Sequence, residues 1–189
     1  MSEEEEKLDS ILEGVKSILI TREYEVIDTK ILEDGSYDII GKKAGEEGEK
    51  DLKIIARIPP DDPVGVGALR DFKKVLEEEK YNQALLIARG KYTHYTKREA
   101  EKAGIETFSL KFPFFDLFSH ELVPKHEVAP AEEVDDVIRK YSVSVKQLPK
   151  ISSLDPAVQL LGAKAGDIIK ITRNSPTAGK FIAYRYVIE

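Results

Sequence analysis

The stretch KITRNSPTAGKFIAYRYV, residues 170–187, sets two runs rich in β-branched and aromatic residues on either side of Asn-Ser-Pro-Thr-Ala-Gly. The Gly179-Lys180 pair after small residues invites comparison with a phosphate-binding loop. That loop needs Gly, four residues, Gly-Lys and then Ser or Thr, so that backbone amides wrap the phosphates and the hydroxyl holds magnesium. Here Asn174 stands at the first glycine position and Phe181 at the hydroxyl position, and alternating FIAYRYV follows where a helix is required. The stretch therefore reads as a β-hairpin with arms 167–173 and 181–187. Strand alternation sends Ile182, Tyr184 and Tyr186 to one side and Phe181, Ala183, Arg185 and Val187 to the other. Neither face is purely polar, so the hairpin needs neighbours on both.

Working back from the hairpin, Asp155-Pro156 predicts a short helix to Leu161-Gly162, with Asp as cap and Pro in the first turn. Pro130 begins another, acidic in its first turn and closed by Arg139-Lys140, as the helix dipole favours. HELVPKHEV, residues 120–128, has no period of its own. Before it, Phe112-Pro-Phe-Phe-Asp-Leu-Phe118 is too aromatic for a free linker and reads as a seam between domains or a partner contact. The expected division is an N-terminal domain, 1–118, and a C-terminal domain, 119–189, of about 70 residues, near the lower limit for independent folding.

The N-terminal part alternates helix and strand. Ser2 with Glu5 forms a capping box, and Leu8, Ile11, Leu12, Val15, Ile18 and Leu19 recur at helical spacing. Extended runs follow at 24–32, 37–42 and 52–58, separated by EDGS and AGEEGEK. Leu69, Phe72, Val75 and Leu76 mark a second helix, Ala84–Ala88 a buried strand, 95–103 a third helix stopping at Gly104, and 105–109 a last strand. This order predicts an α/β layer with a mixed sheet, and a small α+β unit after it.

The chain of 189 residues carries a net charge of −6, which argues against a protein that coats nucleic acid. From Lys150 onward there are six Lys or Arg against three Asp or Glu, so a basic element of about +3 sits on a remainder of about −9. Such asymmetry suits docking to an acidic surface. There is no cysteine, hence no disulfide, thiol catalysis or thiolate metal site. No apolar run approaches a membrane span, and the acidic start MSEEEE is unlike a secretory signal, so an intracellular protein is expected.

HELVPKHEV, SVKQLPKI and DPAVQLLGAKAGDIIKITRNSPTAGKFIAYRYV together resemble the H-type subunit of archaeal RNA polymerase, equivalent to the C-terminal domain of the fifth subunit shared by eukaryotic nuclear polymerases. The resemblance spans His120 to Val187, in order and with loop lengths intact. It implies an assembly module that packs on the C-terminal part of the largest polymerase subunit, with no active site or cofactor of its own. The implied contact residues are Glu121, Pro124, Arg173, Ser175, Thr177, Gly179, Tyr184 and Arg185. Thr177 and Gly179 would shape the turn, the two arginines would grip carboxylates, and Tyr184 would offer a flat ring with a polar tip. The preceding residues resemble, more weakly, the N-terminal jaw domain of the eukaryotic subunit, in the Pro-Pro loop with VGVGALRDF, in ALLIARG, and in the aromatic run into HELVP. That implies a position beside downstream duplex DNA. Where the family has Thr-Pro-Ser-Ala, this chain has Thr93-His94-Tyr95-Thr96, retaining the Thr, with Lys91, Lys97 and Arg98 available for phosphates. A cytoplasmic location is implied, nuclear for a eukaryotic source.

A second reading stays open. The jaw is related in architecture to restriction endonucleases, which hold magnesium with an Asp on one strand and Asp/Glu-x-Lys on the next. Asp38 and Asp51-Leu-Lys53 fit that spacing and would make the chain a magnesium-dependent nuclease fused to a polymerase-docking module. His94, His120 and His126 form no helical pair for zinc, so no metal is expected outside that reading. No Gly-x-Ser-x-Gly or other triad pattern is present.

Overall fold

The computed structural model describes residues 3–45, 50–109, 112–114, 117–175 and 179–189. The chain divides into two compact units, Met1–Phe115 and Asp116–Glu189.

In the first unit the amphipathic opening forms α1 (Glu3–Thr21), while its Ser2 cap lies outside the described residues. Strands β1 (Glu25–Ile31), β2 (Tyr37–Lys43) and β3 (Leu52–Ile58) make an antiparallel meander. Then α2 (Val66–Glu78) returns the chain to β4 (Gln83–Ile87), and α3 (His94–Lys102) returns it to β5 (Glu106–Phe108). Both returns place a strand parallel to the one before, giving a mixed sheet in the order β1-β2-β3-β4-β5. The sheet is covered on two faces, so its inner strands carry apolar residues at successive positions instead of alternating. On one face Ile40, Ile55 and Leu86 pack with Leu69 and Phe72 of α2 and Ala100 of α3. On the other, α1 crosses Gly41, where an added Cβ would stand 2.8 Å from Ile54 and 3.0 Å from Leu19. Arg22, just beyond α1, donates to the Glu106 carboxylate at 2.7 and 3.1 Å and to Gln83 at 3.2 Å, tying the helix end to β4 and β5. The aromatic run begins in this unit: the ring of Phe112 meets Phe108 and Phe114 edge to face at 4.9 and 5.3 Å.

The second unit holds β6 (Lys125–Val128), α4 (Ala131–Tyr141), β7 (Lys150–Ser152), α5 (Pro156–Leu161), β8 (Ile168–Ser175) and β9 (Gly179–Ile188). The hairpin is the pair β8 and β9, running from Ile168↔Tyr186 to Ser175↔Gly179. Its neighbours are β6 and β7, in the order β6-β8-β9-β7, with β7 parallel to β9. Sequence periodicity missed both, because strands of four and three residues are too short to show a period, and β6 sits inside HELVPKHEV. The short helix α5 is built as its sequence predicts: Asp155 Oδ1 accepts from the Ala157 amide at 2.9 Å, and Gly162 ends the helix at φ 69°. Val158 of this helix packs on Ile169 and Val187 as a second core. Among the described residues no helix is long and apolar enough to cross a membrane.

Phe72 is fully buried between α2 and the sheet, with the Arg57 guanidinium 5.0 Å from its ring centre. Phe72→Ala is expected to lower unfolding stability by about 3–5 kcal/mol, through lost transfer energy plus an unfilled cavity. Urea unfolding followed by circular dichroism checks it.

Candidate interaction sites

Alternation along β8 and β9 puts Ile171 and Arg173 on the same face as Phe181, Ala183 and Arg185, and α5 covers only the end of that face nearer Val187. The uncovered part forms a groove of about 630 Å3 that Pro124, Arg173 and Arg185 help to line. Arg173 also borders an adjoining groove with Glu121 and Pro124, so the structure brings these four expected contact residues together. Arg185 is exposed and donates to the Lys150 carbonyl at 3.3 Å. Gly179 takes φ 70°, a conformation that favours glycine. Thr177 lies outside the described residues, as does the side chain of Ser175.

Tyr184 departs from the expectation. It belongs to the opposite face, where its hydroxyl donates to Glu133 of α4 at 2.6 Å, and Lys170 binds the same carboxylate oxygen at 2.7 Å. Burial, helped by that hydrogen bond, pushes its phenol up to about 12, and the Lys170 and Tyr184 contacts hold the Glu133 carboxyl below its ordinary range. The polar tip is therefore occupied within the unit and holds α4 to the sheet. The groove includes residues that sequence reasoning did not nominate: His126, Ile151, Ile171 and Phe181. The signal for Phe181 was present, since period two from Arg185 leads to Ala183 and Phe181. His126 and Ile151 come from strands that the sequence did not reveal.

In the first unit, Thr93 caps α3, its Oγ1 accepting from the Thr96 amide at 3.3 Å and lying 2.7 Å from the Thr96 hydroxyl. Thr96 is thereby buried, while Lys91, His94, Lys97 and Arg98 remain exposed around the start of the helix. The turn before it is anchored from below. The Lys91 amide donates to Asp62 Oδ1 at 2.9 Å, and that carboxylate fills the space a Cβ on Gly90 would need. Lys91, Thr93, Lys97 and Arg98 thus occupy one turn and the helix it launches.

The nuclease grouping is not assembled. Asp38 and Arg57 are register partners on β2 and β3, and their side chains form a two-pronged buried pair, Nε to Oδ1 at 2.6 Å and Nη2 to Oδ2 at 2.5 Å. Lys53 pairs instead with Lys42, four residues along the strand, roughly 13 Å away at the usual rise. Asp51 lies beyond it, its exposed carboxylate held 2.7 Å from Lys42 and pulled below its ordinary pKa by that contact. Beside Asp38, the β3 face offers Arg57 and the buried apolar Ile55, so a second carboxylate is missing where Asp38 would need it. The spacing in sequence was right for two adjacent strands, but the antiparallel register put the residues at opposite ends.

Two known families match successive stretches of the chain. The family described as "RNA polymerase Rpb5, C-terminal domain" matches residues 115–187. The Rpo5 subunit of DNA-directed RNA polymerase from Thermococcus onnurineus is 52% identical over 75 residues, covering 40% of this chain and 92% of that protein. Its counterpart from Methanocaldococcus jannaschii is 53% identical over 70 residues, covering 37% and 90%. The chain belongs to the Rpo5 family of RNA polymerase subunits. These alignments span 75 and 70 residues, about the length of the C-terminal unit. The N-terminal unit matches, over residues 12–113, a family described as "NACHT-associated inactive Restriction Endonuclease 1", in keeping with its mixed sheet and the jaw-type reading. Among solved structures, EndoMS in apo form shares 19% identity at a TM-score of 0.34, over 46% of this chain and 38% of that one.

Removing one member of a buried ion pair strands the other charge away from water. Asp38→Ala is therefore expected to destabilise the first unit by about 3–5 kcal/mol. The loss would appear as a lowered unfolding midpoint whether or not magnesium is present.

Proposed function

We propose that this subunit of DNA-directed RNA polymerase is held on the largest subunit by its C-terminal unit and carries its N-terminal unit as a jaw beside downstream duplex DNA. The observation that carries the docking half is the groove where Pro124, Arg173 and Arg185 converge, next to Glu121. Its exposed guanidiniums can form forked bonds to carboxylates, and Phe181 supplies exposed apolar area beside them. The matched region makes up about nine-tenths of the Rpo5 relatives and is about as long as this unit, which the Rpb5 C-terminal family also matches. The role needs shape and surface charge and no catalytic residue in either unit. The cytoplasm follows as the location for an archaeal-type polymerase.

The DNA half rests on the turn at Lys91 and the start of α3. Exposed Lys97 and Arg98 project from a helix whose cap and preceding turn are fixed by Thr93 and Asp62. Cations held this way suit phosphate contacts, which position a duplex without reading its sequence.

Two outcomes are expected. Arg185→Glu should reduce co-purification with the largest subunit by at least about tenfold, as reversing a charge at a complementary interface does. Retention at full yield would count against the docking face. Replacing Lys91, Lys97 and Arg98 together with Gln should flatten the salt dependence of DNA binding by assembled polymerase, by about 0.9 in log–log slope for each phosphate no longer neutralised. An unchanged slope would remove the jaw from the duplex.

A further inference from the structure

Among the described residues, most of the outer edge of β9 has no strand beside it. β7 pairs only with Tyr186, Val187 and Ile188, so β9 runs from Gly179 to Arg185 without a described strand beside it on that side. The direction of the backbone groups follows from two hydrogen bonds. The Tyr186 amide donates outward, to Pro149 at 2.8 Å, and the Val187 amide donates inward, to Asp167 at 2.9 Å. Inward and outward residues alternate in an antiparallel ladder, so Lys180, Ile182 and Tyr184 direct their N–H and C=O groups to the open side. An edge of this kind is a template for another strand, and proteins commonly protect it with bulges, prolines or inward-pointing charge. Gly179–Tyr184 contains no proline, and beside Lys180 it exposes apolar side chains: Phe181 is 60% exposed and Ile182 39%.

We infer that this edge accepts an extended acidic segment of another polymerase subunit as an added strand. The inference rests on the reading that the C-terminal unit docks, and it specifies how. Charge complementarity selects the occupant: Lys180 lies on the edge itself, and among the groove's lining residues Lys150, Arg173 and Arg185 face a single carboxylate, Asp155. That carboxylate is already engaged by the Ala157 amide. Added main chain would satisfy the free groups of Ile182 and Tyr184, while alternate side chains of the segment entered the groove against Phe181, Ala183 and the two arginines. A segment with carboxylates and a bulky apolar side chain on that face fits this lining.

Proline discriminates the edge from the groove. Because the Ile182 amide faces outward, Ile182→Pro removes one bond to an incoming strand and leaves the β8–β9 bonds in place, as proline is tolerated on strand edges. In full-length protein co-expressed with the largest subunit, Ile182→Pro should cut co-purification at least about tenfold while Ile182→Val retains it. Full retention by Ile182→Pro together with loss by Arg185→Glu would overturn strand addition and leave groove docking standing. Full retention by both would overturn both. Should Ile182→Pro disturb folding, hydrogen exchange of the unsubstituted chain decides: the amides of Ile182 and Tyr184 should slow on assembly into polymerase, with Ala183 protected throughout. Equal exchange before and after assembly overturns the inference. So does a dimer of the free chain that Ile182→Pro dissociates, since the edge would then serve self-association.

Discussion

The antiparallel ladder between β8 and β9 is the interaction on which the C-terminal unit depends. Both of its other strands attach to it, β6 along the first half of β8 and β7 at the last residues of β9. Its two faces carry different duties. One receives α5 through Val158 and then opens into a groove, and the other receives α4 through the Tyr184–Glu133–Lys170 cluster. A small unit has little core to spare, so a long hairpin with a helix on each face is an economical way to bury enough apolar surface. Toward the turn end of the hairpin, Arg173, Lys180 and Phe181 are exposed.

In the N-terminal unit the governing constraint is burial on both faces of a mixed sheet. Among the buried polar side chains of that unit, Asp38 and Arg57 form a matched pair of opposite charges. This pair answers the nuclease reading in physical terms. A metal centre needs converging carboxylates with a route to water, whereas Asp38 is enclosed, two-pronged to a guanidinium and flanked by Ile55. Among the described residues no cluster of three or more His, Cys, Asp or Glu could hold a metal ion. A fold shared with nucleases thus carries an ion pair at the position where such chemistry would be sought, and function has to be argued from the site.

Much of the local structure was legible. Apolar period and punctuation located the five α-helices of the described residues and the longer strands, and β3 was read with its observed limits, 52–58. Asp155-Pro156 and Gly162 behaved as start and stop because their reasons are local: a side-chain acceptor, a fixed φ, and access to positive φ. Tyr184 marks the limit of that approach. Alternation assigned it to a face but could not say that α4 would deliver Glu133 to its hydroxyl. The groove likewise needed strands of three and four residues, whose pairing energy comes from neighbours distant in sequence.

The sequence by itself determined the order of elements, the hairpin and its failure as a phosphate loop, the uneven charge, and the family resemblance of residues 120–187. These depend on residue type and short spacing. Only the tertiary structure decided which candidate residues meet. Antiparallel register separated Asp38 from Asp51 and Lys53 and joined it to Arg57. The same kind of information brought Pro124, Arg173 and Arg185 to one groove, turned Tyr184 away from it, and left the β9 edge open. Register is a long-range quantity, set by which strands pair and where they stop, and no local pattern in the chain encodes it.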